Sequence, residues 1–146
     1  MRGRITLDKI EYKNCFICGS ENSIGLKLEF FYKDKKVYAE WISKKDYQGF
    51  DGVVHGGIIA SLIDEAVAQI IMHEGYIAVT TELNVKYLKP FPIGKKVVIC
   101  AEIVEHRRKI IIGKAVIYDK ESPSFIYARG DANYYIVKNF NDNIIS

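Results

Sequence analysis

The sequence predicts an α+β fold in which a strongly curved antiparallel sheet wraps around one long central helix. Three observations predict it. Residues 57–74 place Ile58, Ile59, Leu62, Ile63, Val67, Ile70 and Ile71 on almost every face of a helix, and a helix apolar all round is buried. The runs on either side change to a period of two, the signature of strands with one buried face. No repeat, Pro/Ser-rich linker or low-complexity tract divides the 146 residues, so one domain spans 1–146.

Taken in order, residues 1 to about 25 read as irregular, with a turn at Gly19-Ser20-Glu21-Asn22-Ser23. Leu26-Lys27-Leu28-Glu29-Phe30 alternates like a half-buried strand. The polar turn Lys33-Asp34-Lys35-Lys36 then joins it to a second strand over 37–42, making a hairpin. Gly49, Gly52, Gly56 and Gly57 mark a loop that leads into the helix, which Gly75 closes as a C-cap. Beyond it Thr81, Leu83, Val85 and Tyr87 alternate with Thr80, Glu82, Asn84 and Lys86, giving a strand with one apolar face that Pro90 and Pro92 end. Residues 97–104, 110–118 and 125–137 supply three further strands, separated by His106-Arg107-Arg108-Lys109 and Asp119-Lys120-Glu121-Ser122-Pro123.

Composition narrows the class. Lys+Arg 21 against Asp+Glu 18 leaves a net charge of +3, and the basic residues are scattered, so no nucleic-acid partner is expected. Met1-Arg2-Gly3-Arg4 is charged but no apolar run follows, so no signal peptide is expected. The most apolar segment, 58–72, is interrupted by Ser61, Asp64, Glu65 and Gln69, and no membrane partner is expected. Three cysteines, an odd number, suit a reducing compartment, and a cytoplasmic location is expected.

Asp64 is the first candidate for chemistry. Its helical neighbours Ala60, Ser61, Val67 and Ala68 are small or apolar, and none is a Lys or Arg to pair with it. A lone carboxylate is costly to bury, so it either has a task or meets water or a backbone donor at a groove edge. Glu65 points about 100° away, toward Ser61 and Gln69, on what reads as a wetter face. The second candidate is His55-Gly56-Gly57 at the helix start. Unpaired amides there can hold a carbonyl oxygen as negative charge develops, although two glycines also simply make a tight entry turn. Seven residues separate Gly57 from Asp64, about 10 Å along one helix. Partners in one reaction meet within a few Å, so cooperation requires a second copy of the chain, most simply across a two-fold axis.

The run from Gly49 through His55-Gly56-Gly57 to Asp64-Glu65-Ala66, with Thr80 to Gly94 and the N-terminal Cys15-Phe16-Ile17-Cys18-Gly19, Asn22 and Gly25-Leu26, resembles the hotdog-fold acyl-CoA thioesterase superfamily. The likeness is to its branch with an HGG turn and an Asp on the central helix, which includes phenylacetate-degradation and 4-hydroxybenzoyl-CoA thioesterase-like members. The resemblance implies a hotdog fold and hydrolysis of an acyl-CoA thioester. It also implies a homodimer, often paired into a homotetramer, with sites at the dimer interface. It assigns the Gly57 amide to polarising the carbonyl, Asp64 of the other subunit to base or nucleophile, and Thr80 to holding the attacking water. His55 shapes the turn or helps to place the thioester, beside Gly56. Several relatives carry Asn where Gly49 stands, leaving Gln48 or Asp51 as nearby polar substitutes. Arg107, Arg108 and Lys109, with Lys86 and Lys89, are candidates to hold the nucleotide end of coenzyme A, or are simply solvated. No cofactor is expected, coenzyme A being part of the substrate.

Three other readings compete. Cys15-x-x-Cys18 supplies only two of the four ligands of a structural zinc, and Cys100 and a histidine would have to complete it. A structural turn with two buried thiols is favoured, and no metal is expected. A non-catalytic acyl-CoA-binding protein is the second. A hydratase or dehydratase on the same scaffold is the third, but His73 and His106 are poorly placed for that chemistry.

Overall fold

The computed structural model describes residues 12–140; the charged start Met1-Arg2-Gly3-Arg4 lies outside them. The elements are β1 (Phe31–Lys33), β2 (Lys36–Ile42), α1 (Gly56–His73), β3 (Tyr76–Tyr87), β4 (Lys96–Arg107), β5 (Ile110–Asp119) and β6 (Ile126–Asn139), with a 3-10 turn at Lys45–Tyr47. One antiparallel sheet of six strands runs in the order β1-β2-β4-β5-β6-β3. The helix packs across its concave face, as expected.

The helix is central because its sequence leaves it no other place. Leu62, Ile63, Ala66 and Val67 are fully buried, and Ile59, Ile70 and Ile71 nearly so, against Val37, Ile99, Ile111, Ile117 and Ala132 of the sheet. By length and composition α1 is also apolar enough to cross a membrane, but that apolar surface is buried in core contacts with the strands. The sheet makes room for it. A side chain at Gly113 would begin 2.6 Å from Val67 Cγ1, closer than carbon atoms approach. At the other end Glu74 caps the helix and Gly75 takes the left-handed φ of +97°.

Three details depart from the sequence reading. Residues 26–30 alternate in burial but pair with no strand among the described residues; the ladder begins only at Phe31, after Lys27 adopts a φ of +57°. His106 and Arg107 lie in β4, so the turn to β5 is Arg108-Lys109 alone. The strand after the helix is longer than its alternating segment, starting at Tyr76, and crosses to the far edge beside β6. In β3 the pairings step from Thr80↔Tyr134 to Glu82↔Asn133, which leaves Thr81 as the extra residue of a β-bulge. That bulge reverses the facing pattern. Ala78 and Thr80 look toward the helix before it, Leu83 and Val85 after it, whereas simple alternation put Thr81 with Leu83.

Candidate functional site

Asp64 sits in the middle of α1, and its carboxylate is not alone. Oδ1 accepts a hydrogen bond from Thr80 Oγ1 at 2.8 Å and another from the Tyr134 hydroxyl at 2.5 Å; that hydroxyl is also 2.6 Å from the Asp64 carbonyl oxygen. Thr80 and Tyr134 stand opposite each other in the β3–β6 ladder, so both reach the same turn of the helix. Tyr134 is buried, and burial first, then the Asp64 charge, pushes its phenol well above the usual range. It is a fixed donor at physiological pH. Among the described residues no donor reaches Oδ2. Thr80 is exposed, so one edge of the carboxylate faces outward beside a hydroxyl with lone pairs free to accept from water.

The helix start has its own closure. His55 is the N-cap, and its ring Nδ1 accepts the Gly57 N–H at 2.8 Å. Neutral His55 therefore carries its proton on Nε2. The amides of Ile58 and Ile59 turn back to the His55 carbonyl. A cleft of about 420 Å³ opens here, lined by Phe16, Tyr47, Gln48, His55, Gly57 and Ser61. Gln48 is drawn into the loop, its Oε1 accepting from Gly52 N at 3.0 Å. Gly49 backs onto His55, where an added Cβ would lie 3.3 Å from the His55 Cα. Tyr87 donates to the Gly56 carbonyl at 2.9 Å and ties the end of β3 to this corner.

The structure thus gathers His55, Gly56, Gly57 and Gln48 at one end of the helix, and Asp64 with Thr80 two turns along it. The basic triplet joins neither group. Arg107 is paired with Glu105, and the turn lies beside Tyr76, whose ring meets His106 edge-on at the C-terminal end of α1. A different set of cations, Lys36, Lys86, Lys114 and Arg129, lines a cavity of about 790 Å³ on the outer face of the sheet. Tyr134 is the site residue that sequence reasoning missed, since only the strand register brings it to Asp64.

Glu65 is not on a wet face. The N-terminal segment covers it, placing Cys15 Sγ 3.6 Å from Oε1, while Gln69 Nε2 donates to Oε2 at 2.8 Å. Burial pushes this carboxylate up to about 7, and the neighbouring sulfur adds to the shift. The bond from Cys18, helped by the amides of Cys18 and Ile17, holds the Cys15 thiol down to about 5.

The family described as the thioesterase superfamily matches residues 51–125. Acyl-coenzyme A thioesterase THEM4 of Mus musculus is 29% identical over 116 residues, 73% of this chain and 50% of its own length. The chain thus spans about half the length of that relative. Among solved structures, zebra fish thioesterase superfamily member 2 superposes with a TM-score of 0.74 at 20% identity, over 92% of this chain and all of that one. The smu.793 protein of Streptococcus mutans, solved bound to acetyl CoA, superposes with a TM-score of 0.71 at 18% identity, over 77% of this chain and 90% of its own.

Proposed function

From the premise that the chain belongs to the thioesterase superfamily and has its hotdog fold, we propose that it hydrolyses an acyl-CoA thioester to a free acid and coenzyme A. The observation that carries the proposal is the Asp64 carboxylate, oriented through Oδ1 by Thr80 and Tyr134 and open at Oδ2. THEM4 of mouse bears the name of this activity, and the smu.793 protein was solved with acetyl CoA, which supports the substrate class.

In this reading Thr80 accepts a hydrogen bond from a water, and Asp64 takes that water's proton as its oxygen bonds to the thioester carbon. The carbonyl electron pair moves onto oxygen, and the resulting tetrahedral intermediate expels the coenzyme A sulfur, which takes up a proton. Acting as nucleophile instead, Oδ2 bonds the same carbon, the C–S bond breaks as the coenzyme A sulfur leaves and takes up a proton, and water then hydrolyses the acyl–Asp64 anhydride to free the acid and restore the carboxylate. Finding or failing to find an acylated Asp64 by intact-mass spectrometry during turnover separates the two. The carbonyl oxygen is polarised by the Gly57 N–H of a second copy, freed when the His55 ring swings off it, with Gly56 and Gln48 lining the approach. Two turns of helix separate that amide from Asp64, which supports a homodimer with shared sites, itself able to pair into a tetramer. The steps need no cofactor. Arg107, Arg108 and Lys109 remain candidates for the nucleotide of coenzyme A only from the partner's side, since within one chain they lie at the far end of α1.

The test is thiol release from a panel of acyl-CoA esters by the native protein and by Asp64→Asn. We expect hydrolysis of at least one ester, falling about 10²–10⁴-fold in the variant with its fold intact. Binding without thiol release in both proteins would establish a non-catalytic acyl-CoA-binding protein. Activity that survives in Asp64→Asn would displace this carboxylate from the mechanism.

A further inference from the structure

Cys15, Cys18 and Glu65 take no part in the chemistry above, yet they form a built cluster. The one sulfur, the other sulfur and a Glu65 oxygen all lie within 4.8 Å of one another. We propose that these three groups bind a thiolate-seeking divalent cation of the zinc type, with a water in the fourth position.

Four observations carry this. First, the amides of Ile17 and Cys18 both donate to Cys15 Sγ, at 3.4 Å each. Two N–H groups aimed at one sulfur stabilise it as a thiolate, the form that ligates metals. Second, the turn is built for that geometry. Gly19 N bonds the Cys15 carbonyl at 2.9 Å, and a side chain at Gly19 would begin 2.3 Å from Cys15 N and 2.4 Å from the Lys13 carbonyl oxygen. Only glycine fits there. Third, Glu65 is oriented from behind by Gln69, which occupies one oxygen and leaves the other directed at the sulfurs. Such an outer partner is what fixes a ligating carboxylate. Fourth, the spacing is right. A tetrahedral ion with bonds of about 2.3 Å to sulfur and about 2.0–2.2 Å to oxygen sets sulfur and oxygen ligands about 3.5 Å apart, against 3.6 Å between Cys15 Sγ and Glu65 Oε1.

The ligand set also selects the ion. Two thiolates disfavour Mg²⁺ and Ca²⁺, which take oxygen ligands, and favour zinc. Cys18 is buried, whereas Cys15 keeps part of its surface exposed, which suits a water rather than a fourth side chain as the remaining ligand. Bound there, the ion would clip the N-terminal turn to α1 one residue from Asp64. The two cysteines alone read as a structural turn; the third ligand, fifty residues away, is what folding adds.

The experiment needs no acyl-CoA, so its failure is separable from failure of the proposed hydrolysis. Protein purified under reducing conditions without chelator is assayed for metal, then stripped and titrated with Zn²⁺ and Co²⁺. We expect one zinc per chain, and a cobalt form with thiolate-to-metal absorption in the near ultraviolet. The Cys15→Ser/Cys18→Ser double variant abolishes that absorption, and the near-isosteric Glu65→Gln weakens zinc binding at least tenfold while the circular dichroism of the sheet is retained. Stripped wild-type protein that takes up no zinc with its thiols reduced overturns the proposal. So does cobalt absorption that persists in the Cys15→Ser/Cys18→Ser double variant, or zinc affinity unchanged in Glu65→Gln. A Cys15–Cys18 disulfide in the purified protein, with no metal taken up once it has been reduced to the dithiol, overturns it in favour of a redox pair.

Discussion

Tyr134 makes a sharper claim than Asp64, because it touches the carboxylate without being able to replace it. Its hydroxyl and that of Thr80 share Oδ1, so the rotamer of Asp64 is held from both sides. A hydrogen bond to a charged group is worth about 1.5–3 kcal/mol. Tyr134→Phe keeps the buried ring and removes only that bond. We expect kcat/KM for a hydrolysed ester to fall about 10–100-fold, with a melting temperature lowered by several degrees and the native circular dichroism retained. Thr80→Val should fall further, since it loses the water's acceptor as well, and the double variant should cost less than the two singles combined. Strict additivity would mean that the hydroxyls do not act through one carboxylate. Asp64 and Thr80 were legible in the sequence because an unpaired carboxylate on an apolar helix stands out, and the family pattern adds the threonine. Tyr134 was not, for it lies 70 residues from Asp64 in a strand where it reads as one more apolar position. Glu65 was misplaced on a wet face for the same reason: the segment that covers it has no periodicity to announce where it packs.

At the scale of elements, the depth at which α1 lies on the sheet sets where Asp64 meets β3 and β6. Gly113 on β5 is a close approach in that contact, facing Val67 one turn from Asp64. Gly113→Ala forces a methyl against Val67 Cγ1 and should cost about 1–3 kcal/mol, read as a lower urea midpoint. Removing the obstructing methyls with Val67→Ala in the same chain should restore part of the loss, although Val67→Ala alone destabilises by leaving a cavity. No recovery in the pair would show that the helix rests elsewhere. The existence and type of most elements followed from periodicity, and the burial of α1 followed from its lack of a polar face. What periodicity does not carry is register. The bulge at Thr81 leaves the alternation of 80–87 intact on paper while exchanging which residue faces the helix, and residues 26–30 alternate in burial without a strand to pair with. Both are decided by hydrogen bonding to distant chain.

The whole molecule raises the question of the second copy. β3 ends the sheet as an edge strand of twelve residues, whereas the opposite edge, β1, has three. Long exposed edges invite pairing, and Val79 on β3 and Val137 on the neighbouring β6 are both more than half exposed. The stronger argument is chemical. Asp64 and the Gly57 amide belong to one rigid helix and are about 10 Å apart along it, too far to act on one carbonyl, and no hinge within a helix brings them together. If the reaction uses both, each site takes one from each subunit, and activity becomes a property of pairs. Asp64→Asn disables both sites of a homodimer, and so does Gly57→Val, whose side chain covers the helix end. A mixed dimer, however, carries both lesions in one site and neither in the other. Co-expression at equal levels makes about half of the dimers mixed, so about a quarter of wild-type activity should return from two inactive chains. Differential tags on the two variants isolate the mixed species, which should then have half of the wild-type activity. If the mixed dimer is as inactive as its parents, both groups act within one subunit or Gly57 does not act at all. Light scattering on the same fractions tests the premise directly, since a chain that stays monomeric while hydrolysing the ester would exclude the shared site.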